Sequence, residues 1–216
     1  MSDLLDNLTF FGKSGKDFKN LNYPLKLRFK IGTLANDFSI EDSNGKSIAY
    51  VRQKMFKFID EIQVYTDSSK NDLVFTIKAN KWIDFSAAYT FTNSHGKEIG
   101  RVGRKGWASI WKARYDIFDD NQQLEFQIQE ENAWTKVWDG LMGEIPVVSM
   151  FTGYMFNPKY MVKDTNGNNQ MRLKKDASFF GRQFSVTKEN PDLDQESEEK
   201  ILLSLMMMIL LERKRG

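Results

Sequence analysis

The chain has 216 residues, and 41% of them are hydrophobic, which is enough for one large domain with a substantial core. It contains no cysteine, which excludes a disulfide framework, thiol catalysis and thiolate metal sites. A formal net charge of +2 provides no global field for nucleic acid, and the N-terminus lacks the pattern of a secretory signal. We therefore expect a cytoplasmic protein that binds any charged partner through a local patch of charged residues.

Residues 1–22 form a predicted N-terminal lead segment, followed by a single domain over residues 23–216. The lead contains FGKSGKD, a segment with some features of a phosphate-binding loop. Its glycines are too close together for such a loop, and Lys16 is followed by Asp17 instead of Ser or Thr. The sequence therefore predicts no nucleotide site in the lead.

The body of the chain alternates apolar and polar residues with a period of two, which is typical of half-buried antiparallel strands. The pattern is clearest in DLVFTIKA from Asp72 and in QLEFQIQE from Gln123. Similar segments recur from Leu25 to Thr187. They indicate about twelve short strands at the spacing of an all-β barrel or sandwich.

Four segments share one order of features: an aromatic-led strand, a polar turn and a second strand. Asn44-Gly45 and Asn166-Gly167 are favourable turn sequences because both residue types tolerate positive φ angles. The predicted unit of construction is therefore a hairpin. The four segments begin at Phe38, Tyr89, Tyr115 and Tyr160.

Two groups of basic residues form a candidate site for an anionic ligand. We predict that they converge on a phosphorylated head group, such as that of a phosphoinositide, if the two halves of the chain lie edge to edge. The alternative is that they are solvated residues on outer strand faces, where Lys and Arg discourage edge pairing. No aromatic stacking pattern accompanies them, so nucleic acid is not a predicted partner. The candidate residues are Arg101, Arg104, Lys105, Lys174, Lys175 and Arg182.

Other apparent motifs do not support catalysis. Gly100, Gly103 and Gly106 are spaced as GxxGxxG but lack the βαβ setting of a dinucleotide site, and we interpret them as bend or turn residues. His95 is the only histidine, which excludes a catalytic triad and a multi-histidine metal site.

The segment from Glu131 to Pro158 interrupts the series of hairpins. Trp134, Trp138 and Leu141 follow a helical spacing and predict a short amphipathic helix. One interpretation is a hydrophobic connector that closes a barrel mouth. The other is a surface for membrane or partner contact through Trp134, Trp138 and Phe151, although the segment is poor in Lys and Arg.

Four acidic residues alternate before the last segment of the chain. They favour a solvated linker whose carboxylates flank a helix N-terminus over a calcium site. The glycine and glutamate offsets of a helix–loop–helix calcium loop are missing, so we predict no metal and no cofactor. The four residues are Asp192, Asp194, Glu196 and Glu198.

The C-terminal run from Ile201 to Leu211 is apolar at every position except Ser204. A helix that is apolar on all sides must be enclosed, and this run is only roughly 16 Å long against the roughly 30 Å of a bilayer core. We predict a central helix over about residues 198–214, with Ser197 as its N-cap. We expect this helix to be enclosed by the rest of the protein and not by lipid.

The width of the C-terminal helix favours a barrel over a sandwich. A barrel of about eight strands is filled by its own side chains. A barrel that encloses a helix about 10 to 12 Å wide must therefore have more strands. We therefore predict a mainly β fold, a closed antiparallel barrel of about twelve strands around the hydrophobic C-terminal helix. The three methionines Met206, Met207 and Met208 would fill an irregular lumen.

Three features of the chain resemble those of the LURP-one-related proteins: hairpins of the FSIEDSNGKSIAYVRQK type, the strand pair IQVYTDSSKNDLVFTIK, and the closing apolar helix. That family belongs with tubby C-terminal domains and phospholipid scramblases in one superfamily. The resemblance covers about Tyr23 to Arg215 and implies a roughly twelve-stranded barrel around a C-terminal helix. It implies phosphoinositide binding or lipid movement as functions of the superfamily, and no active site.

Two function classes follow from these observations. The first is a non-enzymatic binding or scaffold module that recognises a phosphoinositide, another anionic head group or a protein partner, at the membrane periphery or in the cytoplasm. The alternative is a membrane-associated, scramblase-like protein acting on phospholipids. An enzyme is disfavoured because no pair of catalytic groups is placed together by its spacing. The oligomeric state is not defined by the sequence.

Overall fold

The computed structural model describes residues 18, 20–30, 36–54, 61–80, 88–104, 114–131, 159–176 and 183–213. These ranges contain twelve strands and one helix, α1, which spans Gln195–Arg213. The strands are β1 (Leu25–Phe29), β2 (Phe38–Glu41), β3 (Ser47–Lys54), β4 (Glu61–Tyr65), β5 (Leu73–Ala79), β6 (Ala88–Asn93), β7 (Glu98–Arg104), β8 (Arg114–Phe118), β9 (Leu124–Glu130), β10 (Lys159–Asp164), β11 (Asn169–Lys175) and β12 (Gln183–Lys188).

The twelve strands form one closed barrel in which each strand pairs antiparallel with its neighbour in sequence. The ring closes where β1 pairs with β12, with Leu25 opposite Val186 and Leu27 opposite Phe184. Closure removes the free edges at which an open sheet would invite pairing with another chain. The predicted twelve-stranded antiparallel barrel is confirmed.

Three hairpins use the same turn chemistry. Asp42 Oδ1 accepts hydrogen bonds from the backbone N–H groups two and four residues later, each 2.9 Å long. The same two contacts recur in the turns at 93–97 and 164–168. Gly45 has a φ of 78°, whereas Asn44 does not take a positive φ. Only the glycine therefore needs the left-handed conformation, as in a type I turn followed by a left-handed residue.

The inner faces of the strands form one hydrophobic core around α1. Alternate residues point inward because side chains alternate across a strand, and the inward positions are fully buried. Aromatic and β-branched residues dominate these positions, as expected for a pleated, buried surface. They include Phe38, Ile40, Ile62, Val64, Ile77, Phe91, Tyr115, Ile117, Ile128, Val162, Met171 and Leu173.

Helix α1 runs through this core. Each of the ten residues from Ile201 to Leu210 is at most 2% exposed, including Ser204, whose hydroxyl donates to the Lys200 carbonyl oxygen at 2.8 Å. Met206, Met207 and Met208 are buried as predicted. The enclosed apolar helix is confirmed.

The N-terminus of α1 differs from the prediction. The helix begins at Gln195, and Asp194 is its N-cap, because the Ser197 backbone N–H donates to Asp194 Oδ1 at 3.0 Å. The predicted start near residue 198, with Ser197 as the cap, is therefore wrong by one turn. Ser197 lies instead at the third helical position.

The barrel has two different ends. The first, which we name the hairpin end, carries the tight turns at 42–46, 66–72, 93–97, 119–123 and 164–168, together with residues 189–194 that lead into α1. The second, which we name the loop end, is where β1, β3, β5, β7, β9 and β11 finish and the next strands begin. Helix α1 enters at the hairpin end, since it follows β12.

Candidate functional site

A buried lysine fixes the first turns of α1 to the barrel wall at the hairpin end. The side chain of Lys200 is only 3% exposed, and its Nζ lies 2.6 Å from Glu125 Oε2 and 3.4 Å from Glu196 Oε1. Burial alone lowers the pKa of Lys200, but the bond to Glu125 and the charges of both carboxylates raise it above its ordinary value. Lys200 therefore stays charged inside the barrel mouth.

A glycine in β7 provides the space for this lysine. A Cβ on Gly100 would lie 2.7 Å from the Phe118 carbonyl oxygen and 3.0 Å from Lys200 Cδ. Any other residue would collide with backbone that cannot yield. The Gly100 position predicted to be a bend or turn residue is thus a mid-strand site of close helix approach.

A second polar contact holds the other side of the helix N-terminus. Glu198, which is 8% exposed, accepts hydrogen bonds from the Tyr23 hydroxyl and, at 3.2 Å, from Lys188 Nζ. Burial, together with the bond to Glu198 and its charge, raises the pKa of Tyr23 well above its ordinary value. The hydroxyl therefore acts as a permanent donor, and residues before β1 are tied to the helix. We name the contacts of Lys200 and Glu198 the collar.

A cavity of about 310 Å³ lies beside the collar at the hairpin end. Its wall combines apolar side chains with the Lys188–Glu198 ion pair. Both charges are already engaged with each other, so the described residues of the wall offer no free charged group to a ligand. Its wall includes Phe18, Asn20, Leu21, Lys188, Leu193 and Glu198.

Three of the four acidic residues before and within the first turn of α1 have side-chain contacts within the protein. Asp194 caps the helix, Glu196 faces Lys200, and Glu198 binds Tyr23 and Lys188. Within the part of the chain that the structure describes, no three His, Asp or Glu side chains are grouped to hold a metal ion. These contacts account for three of the four carboxylates as parts of the helix N-terminus.

The candidate cationic residues lie at separate positions on the barrel. Arg101, in the middle of β7, donates to Glu98 through Nε and, at 3.3 Å, through Nη2. Lys174 and Lys175 end β11, and three strands separate β11 from β7, a distance of roughly 19 Å along the wall. Arg104 is the last residue of β7, at the same end as Lys174 and Lys175. The described residues therefore do not bring Arg101 and Lys174 together.

The remaining candidate residues lie outside the described residues. This is so for Lys105 and Arg182 in the cationic set and for Trp134, Trp138 and Phe151 in the contact set. The strands that their segments join all meet at the loop end.

The structure adds one basic residue that the sequence reasoning missed. Lys159, the first residue of β10, lies directly opposite Lys174 in the β10–β11 register, and both side chains are exposed. Residues opposite each other on neighbouring strands have Cβ atoms about 4.5–5.5 Å apart, and like charges there repel. Counting outward from the Asn166-Gly167 turn would have paired these positions approximately.

These lysines have no carboxylate partner among the described residues. The ammonium groups of Lys159, Lys174 and Lys175 form no ion pair or hydrogen bond within those ranges. The next residue, Asp176, is engaged instead by Ser185 Oγ and, at 3.3 Å, by Gln183 Nε2. We name the three lysines the loop-end lysines. Lys159 and Lys174 form an unneutralised positive pair on the outside of the barrel, whereas Lys175 is half-buried and lies on the opposite face of β11.

No helix within the described ranges combines the length and the apolar character that crossing a membrane requires. The apolar part of α1 is covered by the barrel on every side.

The comparisons with known proteins add a family. The model of the LURP-one-related family matches residues 47–190, about two thirds of the chain. The chain belongs to the LURP-one-related family. The match runs from β3 to the end of β12, and the closed barrel around a helix is consistent with the tubby-like superfamily. Searches of curated proteins and of solved structures found no match.

Proposed function

We propose that this LURP-one-related protein is a non-enzymatic binding module that recognises phosphorylated, anionic lipid head groups at the cytoplasmic face of a membrane. The observation that carries the proposal is the Lys159–Lys174 pair, two exposed like charges held opposite each other without a described counter-ion. A phosphate group placed between them would replace repulsion by charge-assisted hydrogen bonds. Lys175, the next residue along β11, lies on the opposite face of the strand and is not counted in this pair.

The expected strength of this patch is moderate. A lysine close to an anionic membrane surface contributes about 1 kcal/mol, so the two exposed lysines contribute about 2 kcal/mol, or roughly thirtyfold in affinity. Such an interaction is peripheral and reversible, and it weakens with added salt.

Binding is favoured over catalysis because of how the interior is used. Ligand and substrate sites are usually enclosed clefts, whereas the lumen of this barrel is filled by α1 and the inward side chains. The described parts open to a ligand are therefore the outer surface and the cavity at the hairpin end, whose two charges are already paired with each other.

The composition of the loop-end connections supports contact with a lipid surface. All five tryptophans of the chain fall in segments that join strands at that end: Trp82, Trp107, Trp111, Trp134 and Trp138. Tryptophan is enriched where proteins meet the membrane–water interface. The predicted contact residues Trp134, Trp138 and Phe151 belong to this set of segments and stay part of the proposal.

The scramblase-like alternative has less support. Moving lipids across a bilayer requires a path through it, and α1, the most apolar segment, is enclosed by its own barrel. A protein partner with an acidic surface is the competing occupant of the loop-end lysines.

Vesicle co-sedimentation tests the proposal. The wild type is expected to bind vesicles containing a phosphoinositide and not neutral vesicles, and the variant Lys159→Ala with Lys174→Ala is expected to lose most of that binding. Lys46→Ala with Lys97→Ala is the matched control, because it removes two exposed lysines at the hairpin end. A soluble inositol phosphate added as a competitor distinguishes two modes of binding. It should release the protein from the vesicles if the protein recognises the head group, and it should not do so if the protein is attracted only to the charged surface.

Two results would count against the proposal. Equal binding to neutral and anionic vesicles would remove the anionic head group as the ligand. Equal loss in both double variants would show that net charge, and not the loop-end lysines, determines the affinity.

A further inference from the structure

The two ends of the barrel differ in charge. At the hairpin end the turns and residues 189–194 contain nine carboxylates and three lysines. The lysines of this end are Lys46, Lys70 and Lys97, and the acids are Asp42, Asp67, Asp72, Asp119, Asp120, Asp164, Glu189, Asp192 and Asp194. The connections of the loop end contain as many basic as acidic residues, and the exposed Lys159 and Lys174 beside them have no described partner. The molecule is therefore electrically polar along the barrel axis.

The negative charge of the hairpin end is well maintained. Hydrogen bonds from Ser69 hold the pKa of Asp67 below its usual value, and the Asn168 side chain does the same for Asp164. The ammonium group of one lysine of this end, Lys70, lies 5.9 Å from the centre of the Tyr50 ring. The hairpin end thus stays negative at neutral and mildly acidic pH.

Screening makes this polarity effective at a membrane. Strands of up to eight residues place the two ends roughly 20–25 Å apart, whereas the Debye length at physiological salt is about 8 Å. Acids at the far end are therefore screened from the surface when the loop end docks. They would face it directly if the hairpin end docked.

We infer that the protein binds an anionic membrane in one orientation, with the loop end toward the lipid and the hairpin end toward solvent. This inference rests on the proposed function and adds its geometry. It keeps the collar and the neighbouring cavity, with Phe18 and Glu198, on the side away from the membrane.

Site-specific fluorescence measures the orientation, and the cysteine-free chain permits clean labelling. A dye is placed in Asn80→Cys at the loop end or in Ser68→Cys in the turn at 66–72; both positions are exposed. Energy transfer to an acceptor on the lipid head groups of phosphoinositide vesicles is then compared. Transfer several-fold greater from position 80 than from position 68 is expected.

The outcomes separate the two proposals. Vesicle binding with equal transfer, or greater transfer from position 68, overturns the orientation and leaves the proposed function standing. Absence of vesicle binding by both labelled proteins overturns both. Asp72→Lys with Asp120→Lys, which reverses two exposed charges at the hairpin end, is expected to bring the two transfer values closer without lowering the bound fraction. An unchanged ratio would show that charge polarity does not set the orientation.

Discussion

At the hairpin end, short turns with repeated side-chain-to-backbone hydrogen bonds close the barrel, and two buried charge contacts hold α1 in place. At the loop end the connections vary in length, one of them running over residues 131–158, and they contain every tryptophan of the chain. The first end thus has the features of a structural clamp, and the second has those of a contact surface. Under the proposed function, stability depends on one end of this fold and binding on the other.

The helix joins these two ends, so its removal is expected to have the largest effect. Deletion of residues 199–216 removes the ten consecutive buried residues of α1 and leaves the inner wall without a packing partner. We expect an insoluble or molten chain, because the barrel is too wide to be filled by its own side chains. Soluble yield and the cooperativity of thermal unfolding measure this. A soluble truncation that melts cooperatively would contradict the threaded helix.

Breaking the collar sharpens the comparison at the hairpin end. Glu125→Ala leaves Lys200 buried beside only Glu196, which is 71% exposed, and is expected to cost about 3 kcal/mol in the free energy of unfolding. Lys200→Met is expected to cost less, about 1 kcal/mol, because Glu125 can then turn to water. Denaturant melts check the order. Vesicle binding of the folded fraction should be unchanged in both variants, and a reversed order would show that Lys200 is not held by Glu125.

The close approach of α1 to the barrel wall at Gly100 gives the next largest expected effect on stability. Gly100→Ala is expected to destabilise by about 1–3 kcal/mol, because its Cβ would contact Phe118 backbone and the Lys200 side chain. Gly103→Ala on the same strand is the matched control, since its Cβ would meet only the Phe118 ring at 3.7 Å. Comparable losses in both variants would indicate a general β7 effect and not helix contact.

The helix cap gives a smaller effect with a defined pH dependence. Burial raises the pKa of Asp194, but hydrogen bonds from Ser197 outweigh it and leave the pKa below the ordinary value of 3.8. The cap's stabilising charge is therefore present above pH 3.8 and is lost as pH falls below it. Asp194→Ala should cost about 1 kcal/mol at pH 7, and Asp194→Asn much less. The difference between wild type and Asp194→Asn should shrink in melts below pH 3.8, and a difference that grew there would contradict this assignment.

At the loop end the smallest effect on stability should accompany the largest effect on binding. Lys159→Ala with Lys174→Ala relieves a like-charge pair, and exposed pairs of this kind change stability by under about 1 kcal/mol. Parallel melts and vesicle titrations test the separation of the two ends. A large loss of stability with retained binding would reverse the roles given to them.

Much of this fold was predictable from local patterns. The hairpins beginning at Phe38, Tyr89, Tyr115 and Tyr160 are all present, because an Asx residue and a following turn determine each one locally. The enclosed helix followed from its lack of a polar face. Its cap was misplaced because both Asp194 and Ser197 are good capping residues, and only the backbone decides between them.

The polar contacts of the site depended on the fold itself. Glu125 and Lys200 are distant in sequence and meet only after barrel closure and the approach permitted by Gly100. The Lys159–Lys174 pair was within reach of the sequence, because counting outward from the Asn166-Gly167 turn pairs these two positions even though the register shifts between Val162 and Lys163. The absence of a described carboxylate partner for these lysines became visible only in the folded barrel.

The enclosure of α1 is the central claim, and methionine oxidation tests it most directly. Met206, Met207 and Met208 are at most 1% exposed, so hydrogen peroxide should convert them to sulfoxides only through unfolding, far more slowly than free N-acetylmethionine in the same solution. Peptide mass spectrometry resolves the three positions. Slow oxidation that accelerates together with the unfolding transition is the expected result, whereas oxidation at the rate of the free amino acid in the native protein would contradict the enclosed helix.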